Sequence, residues 1–174
     1  MNYLGVDPGA QGCVAIVGDT IATYSLKELD NADILRLLVR LKTQHRIEYA
    51  LLEKITALPA AVERKINDER KAKGRDPISL SHMNAKLNQS YAAVKMALTA
   101  AEYKIAELRP VDWQTLYGMK RGKLEDRNEF KRRLRDKAQS LFPKFQVRLE
   151  HADALLLAEL CRRLQTRENE ILFI

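Results

Sequence analysis

The chain has 174 residues, 46% of them hydrophobic and 30% charged, with 30 Lys and Arg against 23 Asp and Glu. That length supports one sizeable core, so a single domain over residues 1–174 is expected, and the composition excludes a disordered tail. No apolar run approaches the roughly 20 residues that span a bilayer, and the N-terminus opens into a strand rather than a secretory leader. A cytoplasmic protein with no membrane partner is expected.

In chain order, residues 2–7 and 12–17 read as strands joined by the tight turn "PGAQG", and "TIATYS" at 20–25 reads as a third, giving an antiparallel meander. "NADILRLLVRLKTQH" then sets Ile34, Leu37, Leu38 and Leu41 at helical spacing, with Asn31 placed to cap the helix. "IEYALLEKI" at 47–55 is a buried strand. A charged insertion at about 60–80, containing "VERKINDERKAKGRDP", follows; Gly74 and Pro77 end any helix within it, and it is expected to be mobile. An Ala-rich helix over 84–101 offers an apolar face that suits either a dimer contact or the core. Residues 103–110 form another strand, and Pro110 opens a helix in which Trp113 reads as core packing. Helices over 124–141 and 150–166 complete an α/β fold: a mixed sheet, antiparallel in its first three strands, flanked by helices. Cys13 and Cys161 lie in apolar patterns without CxxC or CxxH spacing, which favours buried thiols over a zinc site.

The charge is unevenly placed. Between Arg109 and Arg148 there are 12 basic residues against 5 acidic ones, leaving 18 of each sign elsewhere, so the whole net charge of +7 sits in one segment. Such a concentration is the footprint of a surface that neutralises phosphates, although a solvated helix face has the same composition. Lys120, Arg121 and Lys123, set around Gly122, suit phosphate contact, and Arg132, Arg133 and Arg135 suit positioning of a nucleic-acid backbone rather than base reading. The insertion adds Arg64, Lys65, Arg70, Lys71, Lys73 and Arg75. His82 beside it reads as a surface histidine.

Four carboxylates stand at element ends. Asp7 closes the first strand, Glu53 closes "YALLE", and Glu150 and Asp153 are three apart at the start of the last helix, which would place them on one face. Each has a plain alternative: Asp7 as a turn-former, Glu53 paired with Lys54 or an arginine, and the last two favouring the helix dipole. A shared site explains all four together, because two divalent ions about 3.5 to 4 Å apart need oxygens from several directions.

With those residues in view, "LGVDPGAQGCVAIV", "LLEKITALP" and "HADALLLAEL", with "PVDWQTLYG", resemble the RuvC family of Holliday-junction resolvases, especially the shorter versions carried by phages and mobile elements. The similarity runs from residue 2 to about 163. It implies an RNase H-like fold, a homodimer in a bacterial or phage-infected cell, and Mg or Mn dependent cleavage of four-way junctions and other branched DNA, with roles in recombination and repair. The family's metal-binding acids then match Asp7, Glu53, Glu150 and Asp153, with two ions per site and products bearing a 5′ phosphate. Under this resemblance Asp7 would bridge the ions, Glu53 would hold the one that activates water, and Glu150 and Asp153 the other.

Three departures from the family are visible. His151 stands beside Glu150 as a rival ligand, a phenylalanine that many relatives carry three positions after the glutamate is replaced by Thr56, and the insertion is longer and more charged. Two other readings stay open: a catalytically silent module that binds branched DNA, and one lobe of an actin-like or sugar-kinase-type ATPase, whose opening "GVDPG" resembles but whose two lobes need more chain than 174 residues.

Overall fold

The computed structural model describes residues 1–9, 12–55, 60–122 and 124–166. Five strands, β1 (Tyr3–Asp7), β2 (Cys13–Val17), β3 (Ala22–Ser25), β4 (Tyr49–Glu53) and β5 (Lys104–Leu108), form one sheet in the order β3-β2-β1-β4-β5. The β1–β2 and β2–β3 pairs are antiparallel, and β1–β4 and β4–β5 are parallel. Six helices accompany them: α1 (Asn31–His45), α2 (Ala60–Ala72), α3 (Leu80–Ala100), α4 (Pro110–Leu116), α5 (Arg127–Leu141) and α6 (Ala152–Thr166), the last entered through a 3-10 turn at Leu149–His151.

Alternation along the strands builds two cores. Leu4 and Val6 of β1, Val14 and Ile16 of β2, and Ala50 and Leu52 of β4 face α1 and α3. Tyr3, Cys13, Ala15, Val17 and Leu51 face the other way, against α4, α5 and α6. Both thiols are buried there, as their apolar contexts implied. Gly5 is the gap on that second face: a Cβ would stand 2.2 Å from both the Ala154 carbonyl oxygen and the Ala158 nitrogen, so only glycine lets α6 lie directly on β1. Ile34, Leu37, Leu38 and Leu41 seat α1 on the first core, each contributing about 1.5 to 3 kcal/mol where fully buried.

Several boundaries differ from expectation. The α1 cap is Asp30, whose Oδ1 accepts from the Asp33 N–H at 2.7 Å, and Asn31 is already helical; the two residues are equally good caps in sequence. The third strand starts at Ala22, and the flanks of 47–55 and 103–110 lie outside the strands because pairing stops there. Between 150 and 166 the chain is not one helix, since Glu150 belongs to the 3-10 turn. The insertion forms α2 and a return turn. The Asn67 side chain exchanges bonds with Ile78, Nδ2 to its carbonyl at 3.0 Å and Oδ1 from its N–H at 2.8 Å, while Arg70 Nε donates to the Asp76 carbonyl at 2.7 Å. The C-terminal half of α3 packs inside the chain, with Val94, Ala97 and Leu98 buried against α1, while Met96 on its outer side is 69% exposed. Thr56 and Lys123 lie outside the described residues. Among those described, no helix is long and apolar enough to cross a membrane.

Candidate active site

Parallel pairing of β1 with β4 puts Val6 beside Leu52, so the residues that follow them, Asp7 and Glu53, end their strands side by side. The third carboxylate arrives from the opposite layer. Asp153 lies in the first turn of α6, only 7% exposed, and α6 is held against β1 at Gly5.

Each acid has a defined partner. The Gly9 N–H donates to Asp7 Oδ1 at 3.0 Å, and the Ser90 hydroxyl of α3 donates to the Pro8 carbonyl at 2.8 Å, which ties the turn after β1 to the helix beside it. Trp113 Nε1 donates to Glu53 Oε2 at 2.8 Å. Lys131 Nζ of α5 donates to Asp153 Oδ2 at 3.2 Å.

The electrostatics reflect three acids sharing one lysine. Burial, reinforced by Asp153, raises the Asp7 pKa above the usual carboxylate range. Burial, with Asp7 and Asp153 adding to it, pushes Glu53 up to about 8. Burial opposes the charge on Lys131, but Asp153 and Asp7 outweigh it and hold its pKa above the ordinary value. The Cys13 thiol, opposite Asp7 on β2, is driven to about 12 by burial and then by Asp7. An excess of buried negative charge is costly and draws protons or cations.

Glu150 and His151, the remaining predicted ligands, lie on the 3-10 turn that leads into α6. Glu150 is exposed there, one turn before the buried Asp153. His151 Nδ1 shares a hydrogen bond with the Thr23 hydroxyl at 3.2 Å, and burial pulls its pKa below the ordinary histidine value. Among the described residues, no three His, Cys, Asp or Glu side chains are gathered closely enough to hold a metal ion.

The basic residues divide into engaged and exposed. Arg133 Nη1 bonds both Glu125 oxygens at 2.7 and 2.9 Å and lies over the Phe130 ring, and Arg135 is held by Asp136 at 2.5 and 3.0 Å. Arg121 Nε donates to the Glu125 carbonyl at 3.1 Å. Lys120, Arg132, Arg64, Lys65, Lys71, Lys73 and Arg75 are exposed, as is His82, and Arg70 is half-buried.

Two site residues escaped sequence reasoning. Lys131 was counted only as part of a basic helix, yet it shares the i, i+3, i+7 stripe with Leu134 and Ala138, both buried, and that spacing marks it as inward-facing. Trp113 is core, as expected, with 0% exposure, but its indole also ends on Glu53; no local pattern announces a partner 60 residues away.

The strand order and flanking helices match solved structures over nearly the whole chain. T. thermophilus RuvC in complex with a Holliday junction substrate aligns with a TM-score of 0.62 at 12% identity, covering 97% of this chain and 98% of that one. This chain has the RuvC fold. A second Thermus thermophilus RuvC structure gives a TM-score of 0.57 at 14% identity, with 96% of each chain covered. No family model and no curated protein sequence matches the chain. In this RuvC fold the mixed sheet, antiparallel through its first three strands and flanked by helices, is the RNase H-like arrangement expected from the sequence.

Proposed function

We propose that the chain is a divalent-metal-dependent endonuclease that hydrolyses phosphodiesters in branched DNA, with four-way junctions as its main substrate. The observation that carries this reading is the meeting of Asp7, Glu53 and Asp153, from β1, β4 and α6, at one end of a RuvC-like sheet. The T. thermophilus RuvC neighbour was solved with a Holliday junction, which supports a branched substrate here.

An all-oxygen donor set burdened by its own repulsion suits a hard divalent cation, Mg2+ or Mn2+. Asp7, Glu53 and Asp153 would hold it, with Glu150 as the fourth ligand of a two-ion site and His151 as the rival for that place. When bound, such ions generate a hydroxide nucleophile and stabilise the charge on the leaving oxygen. The protein's own residues prepare that chemistry. Gly9 fixes Asp7, Trp113 fixes Glu53, and Lys131 neutralises part of the charge at Asp153. Lys120, Arg121, Arg132 and the exposed bases of α2 lie along surfaces able to hold phosphates. Resolving a four-way junction takes two symmetric cuts, so the working unit is a homodimer.

Lys131 on Asp153 favours one competitor: a module that binds branched DNA without cutting it. A labelled four-way junction separates them. With Mg2+ or Mn2+, the wild-type chain is expected to cut, and Asp7→Asn, Glu53→Gln and Asp153→Asn to bind without cutting. A wild-type chain that shifts the junction in gels and leaves it intact with either metal would establish the binding module instead.

A further inference from the structure

Trp113 is built into the fold more firmly than a space-filling side chain requires. Pro110 opens α4 and Asp112 holds Arg109 through two bonds, at 2.7 and 3.0 Å, so the short helix starts from a fixed point. The indole is fully buried and meets the Tyr117 ring edge-on at 6.5 Å and 82°. Tyr117 is in turn anchored, its hydroxyl donating to the Leu156 carbonyl of α6 at 2.7 Å. The ring therefore has no freedom to turn, and its single donor points at Glu53 Oε2, 2.8 Å away. Among the described residues, Glu53 Oε1 accepts no hydrogen bond.

We propose that Trp113 is the positioning residue of Glu53: its N–H occupies Oε2 and fixes the carboxylate plane, leaving Oε1 as the one oxygen offered to a divalent cation. This rests on the reading of Glu53 as a metal ligand. A neutral, non-titrating donor suits the task, because it orients the carboxylate without competing as a cation for the same charge. A lysine at that place would stabilise the carboxylate but also take the position of the ion. Removing a partner of this kind from a metal ligand commonly weakens metal binding by about 10- to 100-fold.

The test uses the full chain and Mn2+ alone, with free ion counted by its paramagnetic resonance signal. Trp113→Phe keeps most of the ring packing, and replacing Trp113 with benzothienylalanine keeps the bicyclic shape while removing only the N–H. Both are expected to raise the Mn2+ dissociation constant about 10-fold or more. In a Glu53→Gln background, the same changes should add nothing further. A purely structural Trp113 would instead weaken folding in the phenylalanine variant and leave Mn2+ affinity at the wild-type value in the shape-matched one. That second result overturns the proposal while leaving the metal reading standing. Wild-type protein that takes up no Mn2+, with or without a four-way junction, overturns both.

Discussion

Replacing Glu53 by Gln should stabilise the metal-free protein, and only at neutral to alkaline pH. Burial, with Asp7 and Asp153 beside it, lifts Glu53 from the ordinary value of 4.5 to about 8. A carboxyl raised in the folded state binds its proton there while the unfolded chain has released it. Its contribution to stability is therefore complete below about pH 4.5 and is lost as pH rises through 8. Multiplied by about 1.4 kcal/mol per pH unit, that interval sets a ceiling of about 5 kcal/mol for forcing the charge to form inside the fold. Water entry and rearrangement around the charge recover part of it, so about 2 to 3 kcal/mol is the expected gain. Glutamine removes the charge and keeps an oxygen to accept from Trp113. For a chain of this size the gain corresponds to roughly 5 to 10 °C in melting temperature. The assay is thermal unfolding of both proteins in EDTA from pH 5 to 9. The curves should coincide at pH 5 and separate steadily to pH 8, with Glu53→Gln the more stable. A constant difference, or one that widens toward acid, would refute the claim that burial, with Asp7 and Asp153 adding to it, holds the pKa of this carboxyl up.

Three other outcomes follow from the same geometry. Lys131→Met should act in the opposite sense, lowering stability at pH 8 by about 1 to 2 kcal/mol after allowance for a partly exposed amine, read from urea midpoints; no change would mean that the Asp153 contact contributes nothing. Gly5→Ala should cost about 3 kcal/mol or more and abolish junction cutting, because the added methyl meets α6 backbone at 2.2 Å; a wild-type urea midpoint would show that β1 and α6 stand farther apart. Replacing Arg132, Arg133 and Arg135 together by Ala should reduce the salt slope of DNA binding by only about 0.9, one phosphate contact, since Glu125 and Asp136 already engage two of them. A loss near three contacts, measured by fluorescence anisotropy across a salt series, would mean that DNA displaces those acids.

The sheet was legible because its strands carry period-2 alternation and its turns carry Gly and Pro. Asp7 and Glu53 were legible for a related reason, as charges closing apolar runs that could not be buried without purpose. Asp153 could be seen only as one of a pair with Glu150, and the pair is split between the 3-10 turn and the first turn of α6, an entry into the helix that the spacing alone does not show. His151 turns to Thr23 on β3, a contact that depends on how the sheet edge meets the 3-10 turn. The helix of the insertion closes through Asn67 and Ile78, eleven positions apart and unremarkable in a segment whose composition is that of a solvated face. Trp113 and Lys131 were hidden for a different reason. Their roles exist only where α4 and α5 pack onto the sheet, and neither residue type at its local spacing specifies a carboxylate partner.

The Asn67 clasp makes the insertion a replaceable cartridge. Two of its bonds join one side chain to the N–H and C=O of one residue, Ile78, and the third, from Arg70 to Asp76, lies inside the same loop. The segment is thus latched to itself, and a designer could splice a longer, shorter or differently charged tip between residues 70 and 76 while keeping the latch intact. Libraries built there would vary the exposed charge of the tip while β1, β4 and α6 keep their register. The same latch would let such tips diverge quickly among natural relatives, because a change inside the loop does not have to be matched by a second change in the sheet.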